Sequence, residues 1–258
     1  MKVLVCVRAV PLSESSFKLN ADGTFYDETE LDFQVNEFDL FGVEEAVRLK
    51  EKFKDVEITI LSVGRKSVED QIKKAMAIGA DSGIRIELPD ANQRDALTIA
   101  SLIANWARDK NFDLIFCGVM SEDLQRAQVG PMLAELLKIP SATTVVSLTL
   151  EPEQRVVVCE RELEGGLREK IQLPLPCLLT TQMGLNTVRY ASLSNVLRIK
   201  KMDIPVVSPQ SPGPENRSEK ILRVFFPERT LACEFLEGSL EKVAEQLLER
   251  VKPRLRMR

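Results

Sequence analysis

One short, continuous apolar run, Lys2–Val7 (KVLVCV), constrains this chain more than any other feature, and Glu57–Val63 (EITILSV) and Asp113–Cys117 (DLIFC) read as further strands. Runs of this kind mark strands covered on both faces, as in parallel sheets. Helical periodicity fills the spaces between them. From about Asp39 to Phe53, Val43, Ala46, Val47 and Lys50 share a face. From Ser67 to Gly79, Val68, Ile72, Ala75 and Met76 do so, and Asp70 stands where a loose capping box with Ser67 needs it. Ser82–Leu88 is a further short strand. From Gln93 to Arg108 the apolar positions are Ala96, Ile99, Ala100, Ile103, Trp106 and Ala107. Four strands alternating with four helices predict an α/β fold: a doubly wound, mostly parallel, Rossmann-like sheet with right-handed crossovers.

The last of these units, Asp113–Lys138, carries the candidate site. Its helix bears Met132, Leu133, Leu136 and Leu137, and Pro131 places the start. Proline lacks an N–H and is tolerated only in the first turn, so the helix begins no earlier than about Ala127. The loop from Gly118 to Arg126 therefore ends at a helix N-terminus, where unpaired N–H groups and the positive dipole end favour an anion. In a doubly wound sheet this strand-end crevice is where nucleotides lie. Ser121 and Asp123 can cap backbone amides, and Gln128 offers an amide to a nucleotide's polar groups. No glycine-rich phosphate motif is present, and the local sequence equally fits an ordinary crossover.

The remaining segments decorate this frame. Ala9–Lys18 predicts a loop, and Asn20-Ala21-Asp22-Gly23 a turn within a hairpin excursion reaching Val35. After Pro140 the alternation of strand and helix stops. Ala142–Leu150 is strand-like, Gln154–Leu163 and Leu167–Leu173 flank the turn pair Gly165-Gly166, and Pro176–Thr180 is another apolar strand. Ala191–Lys201 predicts a short basic helix capped by Ser192 or Ser194. Val206–Pro214 predicts a linker or extended strip. Ser239–Val251 is an amphipathic helix striped by Leu240, Val243, Ala244, Leu247 and Leu248, which either folds back on its own domain or docks on another chain.

Composition narrows the chemistry. The chain has no histidine, which removes Ser-His-Asp and Cys-His nucleophilic mechanisms, the usual zinc sites and histidine base catalysis. Binding, or chemistry brought by a cofactor, becomes the leading expectation. Cys6, Cys117, Cys159, Cys177 and Cys233 form no CxxC pair, so neither a zinc cage nor a disulfide framework is expected. A reducing cytoplasm or organelle matrix fits best. A formal net charge of −4 argues against nucleic acid as a partner. No apolar run approaches the ~20 residues of a membrane span, and no signal peptide is expected before the first strand.

The stretch Glu160–Thr180 (ERELEGGLREKIQLPLPCLLT) resembles the signature of the beta (small) subunit of electron transfer flavoproteins. Its basic residue is Arg161, its acid-Gly-Gly is Glu164-Gly165-Gly166, its next acid is Glu169, and its closing segment runs from Pro176 to Thr180. The opening KVLVCVRAVP, Asn36 with Val43–Lys50, Ala77–Asp81, Val188–Lys200, and Arg229-Thr230 with the last helix are similar to other parts of that family. The resemblance covers essentially the whole chain.

It implies a division into a nucleotide-binding domain (1–187), a partner-recognition loop with a short helix (188–205), and a linker with a C-terminal arm packing on a larger alpha subunit (206–258). It implies a heterodimer with that subunit, an FAD shared with it, and AMP or a second FAD in the beta subunit. It implies electrons taken from acyl-CoA or other flavin dehydrogenases and passed to a quinone oxidoreductase or similar acceptor, with no catalytic residue of the chain's own. Carried over by position, nucleotide contacts fall on Cys6, on Asn36, Glu37, Phe38 and Asp39, and on Val63. The rest fall on Gly118, Val119, Met120, Ser121, Asp123, Gln125, Arg126, Ala127, Gln128 and Val129. Partner contacts fall on Leu193, Ser194, Asn195, Arg198 and Lys200.

The loop departs from the AMP-binding pattern, with Ala127 and Val129 where Asn and Thr are usual. Ala-Gln-Val-Gly is more like electron-bifurcating members, in which a second FAD oxidises NADH, although Gln125 and Arg126 depart from those as well. The alternative from another class is a stand-alone nucleotide-binding regulatory protein on a related scaffold.

Overall fold

The computed structural model describes residues 1–209, 219, 221–227, 233 and 235–253. Two compact units result, Met1–Arg223 and Val224–Arg258.

The first unit opens with β1 (Lys2–Cys6), followed by a small antiparallel pair, β2 (Ala9–Pro11) and β3 (Phe33–Val35). Between β2 and β3 the chain makes the expected excursion. Asn20 Oδ1 accepts from the Thr24 and Phe25 N–H groups, and Leu19 bridges to Tyr26. The next elements are α1 (Glu37–Lys52), β4 (Glu57–Gly64), α2 (Glu69–Gly79), β5 (Ser82–Glu87), α3 (Ala96–Ala107), β6 (Leu114–Gly118) and α4 (Val129–Leu137). A meander of β7 (Ser141–Glu151), β8 (Val156–Glu162) and β9 (Arg168–Pro174) follows, and β10 (Cys177–Thr181) then inserts between β6 and β7. The unit ends with α5 (Leu193–Lys200) and β11 (Val206–Val207).

Among the described residues the main sheet has nine strands in the order β11-β5-β4-β1-β6-β10-β7-β8-β9. All pairings are parallel except β7–β8 and β8–β9. Strands that bury apolar side chains on both faces explain this sheet. In β1, Val3 and Val5 join the core under α1 and α2, while Leu4 and Cys6 join the core under α3 and α4. In β6, Leu114 and Phe116 divide from Ile115 and Cys117 in the same way. Val3, Leu4, Val5, Ile58, Ile60, Leu61 and Leu114 are fully buried. Each such side chain contributes about 1.5–3 kcal/mol relative to an exposed one.

Three local expectations are revised. The Ser67–Asp70 capping box does not form. A 3-10 turn, Lys66–Val68, precedes α2, and the Ser67 hydroxyl accepts from Arg65 Nε instead. The helix expected from Gln93 starts at Ala96, because Asp95 Oδ1 takes the Thr98 N–H and fixes the cap there. Ala9–Pro11, expected within a loop, instead pairs as β2 with β3. Val206–Val207, expected within a linker or extended strip, is extended and adds a parallel edge strand beside Arg85 and Ile86. Residues 210–214 of that strip, and Arg229-Thr230, lie outside the described residues.

The second unit contains α6 (Leu240–Val251), with Ser239 at its N-cap. Leu240, Leu247 and Leu248 of its apolar stripe are exposed, as are Phe225, Phe226 and Phe235 in the segment before it.

Candidate functional site

The chain winds outward from β1 to β4 to β5, then returns through α3 to place β6 on the other side of β1. At this reversal of strand order the crossovers diverge, and a crevice opens at the strands' C-terminal ends. A cavity of about 120 Å³ opens there. It is lined at its base by Cys6, Leu61, Val63 and Cys117, on one wall by Ala96, Ile99 and Ile103 of α3, and on the other by the loop from Gly118 into α4.

Two residues ahead of and within the first turn of α1 tie the crevice together. Asp39 is buried, and its carboxylate accepts from the Arg8 N–H at 2.7 Å and the Gly118 N–H at 2.8 Å. It thereby bridges the ends of β1 and β6, the two strands that flank the switch. Burial pushes its carboxyl up to about 7, against these hydrogen bonds, which pull the other way. Gly118 allows the bridge, since a Cβ there would collide with Asp39 Oδ1 and Phe38 Cβ. Asn36, the N-cap residue of α1, does not cap. Its amide donates to the Met120 carbonyl at 2.9 Å and accepts from the Glu122 N–H at 3.0 Å, holding the loop after β6.

The loop itself is strained. Gln125 and Ala127 have φ of 52° and 54°, a left-handed conformation uncommon for side-chain-bearing residues. It leads into α4, whose first residues, Val129 and Gly130, line the cavity. Gly130 is required by close packing, because a Cβ would lie 2.5 Å from Thr180 Cγ2.

Three arginines line the cavity. Arg8 is taken up by Asp123, Nε at 3.1 Å and Nη2 at 2.6 Å. Burial would raise the Asp123 carboxyl, but the Arg8 guanidinium and hydrogen bonds from Ser121 and the Leu124 N–H hold it below its ordinary value. Arg94 pairs with Asp90 at 2.8 Å, and Arg126 with Glu219 at 2.8 Å. Two polar atoms on lining residues, Gln128 Oε1 and Arg94 Nε, are shielded from solvent without a hydrogen-bond partner. Leaving such a group unmade costs about 1–3 kcal/mol. The hydrogen bond with the neighbouring Cys6 thiol and burial push the Cys117 thiol well above its ordinary value.

Of the residues singled out from sequence, Cys6, Asn36, Asp39, Val63, Gly118, Val119, Met120, Ser121, Arg126, Ala127, Gln128 and Val129 come together around the cavity. Glu37, Phe38, Asp123 and Gln125 do not line it. The Glu37 N–H is held by Glu122, the Phe38 carbonyl accepts from Thr181 Oγ1, Asp123 is committed to Arg8, and Gln125 closes a turn onto the Ser121 carbonyl. Sequence reasoning missed Arg8, Arg94, Ile99, Ile103 and Leu124. The strand-end rule, extended two residues past Cys6, would have reached Arg8. Arg94 lies in an aperiodic loop and gives no such sign.

A second surface lies elsewhere on this unit. Arg189 Nε and Nη2 bond Glu44 and Glu51 of α1 at 2.9 Å, and Asn186 Nδ2 bonds the Phe41 carbonyl at 2.9 Å. These fasten the stretch before α5. Ser192 Oγ then caps α5 through the Asn195 N–H at 3.3 Å. Leu193, Ser194, Arg198 and Lys200 are exposed there, with Asn195 half-buried, and Tyr190, Val196 and Leu197 extend the exposed face. Among the described residues no helix is long and apolar enough to cross a membrane, and no cluster of three acidic, cysteine or histidine side chains is arranged to hold a metal.

Comparison with known proteins agrees with this architecture. The electron transfer flavoprotein domain model matches residues 24–211. The chain is 31% identical to electron transfer flavoprotein subunit beta of Methylophilus methylotrophus, over 96% of this chain and 97% of that one. It is 34% identical to the human protein of the same name, over 95% and 96%, and 37% identical to the mouse one, over 82% and 83%. The doubly wound sheet, the crevice at its reversal and matches along almost the full length lead to one conclusion: the chain belongs to the beta-subunit family of electron transfer flavoproteins.

Proposed function

We propose that the chain pairs with a larger alpha subunit, that the pair holds FAD between them, and that the beta-subunit cavity takes an adenine nucleotide, AMP or a second FAD. The observation that carries the nucleotide reading is a cavity at the strand-order switch with Gln128 in its lining. The Gln128 amide carries both donors and an acceptor of the kind a nucleotide's polar groups need. The apolar wall of Ala96, Ile99 and Ile103 suits a planar base, and the N-terminus of α4 with Arg126 suits a phosphate.

When bound, the flavin supplies the electron-accepting chemistry, and the chain contributes a fixed pocket and a docking face. Leu193, Ser194, Asn195, Arg198 and Lys200 form that face for acyl-CoA or other flavin dehydrogenases, with Arg198 and Lys200 drawing an acidic partner. A quinone oxidoreductase or comparable acceptor then takes the electrons. The amphipathic α6 and the phenylalanines before it serve as the arm that packs on the alpha subunit. The pair works in the cytoplasm or an organelle matrix. One observation favours the bifurcating form of this reading: the loop enters α4 as Ala127-Gln128-Val129-Gly130, without the Asn and Thr of AMP-binding members.

Purification of the chain with its partner, heat release of bound ligands and mass spectrometry test the proposal. One FAD with one AMP per pair supports plain transfer, and two FAD support bifurcation. A colourless, partnerless protein holding no adenine compound overturns it.

A further inference from the structure

We infer that Cys6 and Cys117 are a paired-thiol modification site at the base of the cavity, which hydrogen peroxide converts to a disulfide joining β1 to β6. The inference does not depend on which molecule fills the cavity.

The pairing of the two strands brings the sulfurs together. β1 and β6 run parallel, with Val3 beside Leu114, Leu4 beside Ile115 and Val5 beside Phe116. One step further, the same register sets Cys6 beside Cys117. Both side chains leave the sheet on the face that Leu4 and Ile115 share. Adjacent strands lie about 4.8 Å apart, inside the roughly 4.4–6.8 Å Cα separation that a disulfide spans. The two thiols are hydrogen-bonded to each other, and both cysteines are free. The ladder to β6 stops at Val5, so the Cys6 backbone can yield to the new bond.

Buried cysteines are ordinarily inert. This pair differs because both members line a cavity that opens at the strand ends, with Cys6 8% and Cys117 5% exposed. About 120 Å³ of space there admits a molecule little larger than water. Cys159 and Cys177 are the contrast. They are buried on the opposite face of the sheet, on β8 and β10 with β7 between them, and they line no part of this cavity.

The chemistry closes on itself. The sulfur of Cys6, the more exposed of the two, attacks one peroxide oxygen. The O–O bond breaks, leaving a sulfenic acid and releasing water with the Cys6 proton. The Cys117 sulfur then attacks the Cys6 sulfur, the S–O bond breaks, and a second water leaves with the Cys117 proton. Two thiols and one peroxide become one disulfide and two waters. The hydrogen bond with Cys6 and burial push the Cys117 thiol well above its ordinary value, so it keeps its proton until the sulfenic acid stands beside it. A small dithiol reverses the step by exchange.

The test treats the full-length chain, as the heterodimer or alone, with hydrogen peroxide. The chain carries Cys233→Ser to remove an exposed thiol. After denaturation, free thiols are alkylated and the peptides mapped by mass spectrometry. The expected product has lost two hydrogens, about 2 Da, in a link between the Cys6 and Cys117 peptides. Cys159 and Cys177 remain thiols, and dithiothreitol restores the original mass. In Cys117→Ser a dimedone adduct at Cys6 replaces the link. Cys6 and Cys117 both remaining alkylatable, a link from either to another cysteine, or oxidation straight to sulfinic acid overturns the inference. The product from the unsubstituted pair decides even if Cys117→Ser folds poorly.

Discussion

Asn36 shows how far a residue's position can be read from sequence and how little of its partner can. Its place at the start of α1, beside a strand end, is visible in the pattern. Its role is set by Met120 and Glu122, more than eighty residues away in the chain. The same holds for Asp39, whose two backbone donors come from different strands. Positions at strand ends were legible because a parallel sheet must bring them together. Side-chain commitments such as Arg8 to Asp123 were not, because they depend on loops that no periodicity fixes. Asn36→Ala removes a donor and an acceptor from a site 1% exposed, leaving the Met120 carbonyl and Glu122 N–H without that partner. Chemical denaturation is expected to show a loss of about 1–3 kcal/mol, accompanied by weaker nucleotide binding as the loop loosens.

Elements were more legible than residues. The strand expected over Glu57–Val63 is β4, one residue longer, and the four helices between strands appear with ends shifted by a few residues. Their amphipathic faces, not their caps, carried the information: the Ser67 box failed while Ile72, Ala75 and Met76 packed as their spacing requires. The meander from β7 to β9 was visible through its Gly165-Gly166 turn. The tight seating of α4 on the sheet was not, since Gly130 within a helix suggests only a weak former. Gly130→Ala improves helix propensity by about 1 kcal/mol, yet the added methyl meets the buried Thr180. The expected net result is a lower melting temperature, reflecting overpacking of about 1–3 kcal/mol. Thr180→Ser, which removes Cγ2 and keeps the hydroxyl that accepts from the Thr144 N–H, should recover most of the loss in the double variant.

At the scale of the whole molecule, the parallel frame was legible in the alternation of strands and helices, and its crevice follows from the strand order that the crossovers impose. The unit after Arg223 follows a different logic. α6 buries none of its residues, and a stripe with this spacing has no stability of its own in water. Leu247→Glu with Leu248→Glu is expected to abolish co-purification with the alpha subunit while leaving the melting temperature of the sheet unit within about 1 °C of the native value, consistent with the small effect of surface substitutions. Scanning calorimetry and a pull-down separate the two effects.

The sheet's margins have a consequence of their own. β9 lies on one border with Arg168, Glu169 and Lys170 along it and Pro174 at its end, and β11 closes the other border with two residues behind Pro205. Charge, proline and brevity are what discourage a bare strand from recruiting its twin. A newly made copy can therefore wait for its companion without seeding fibres.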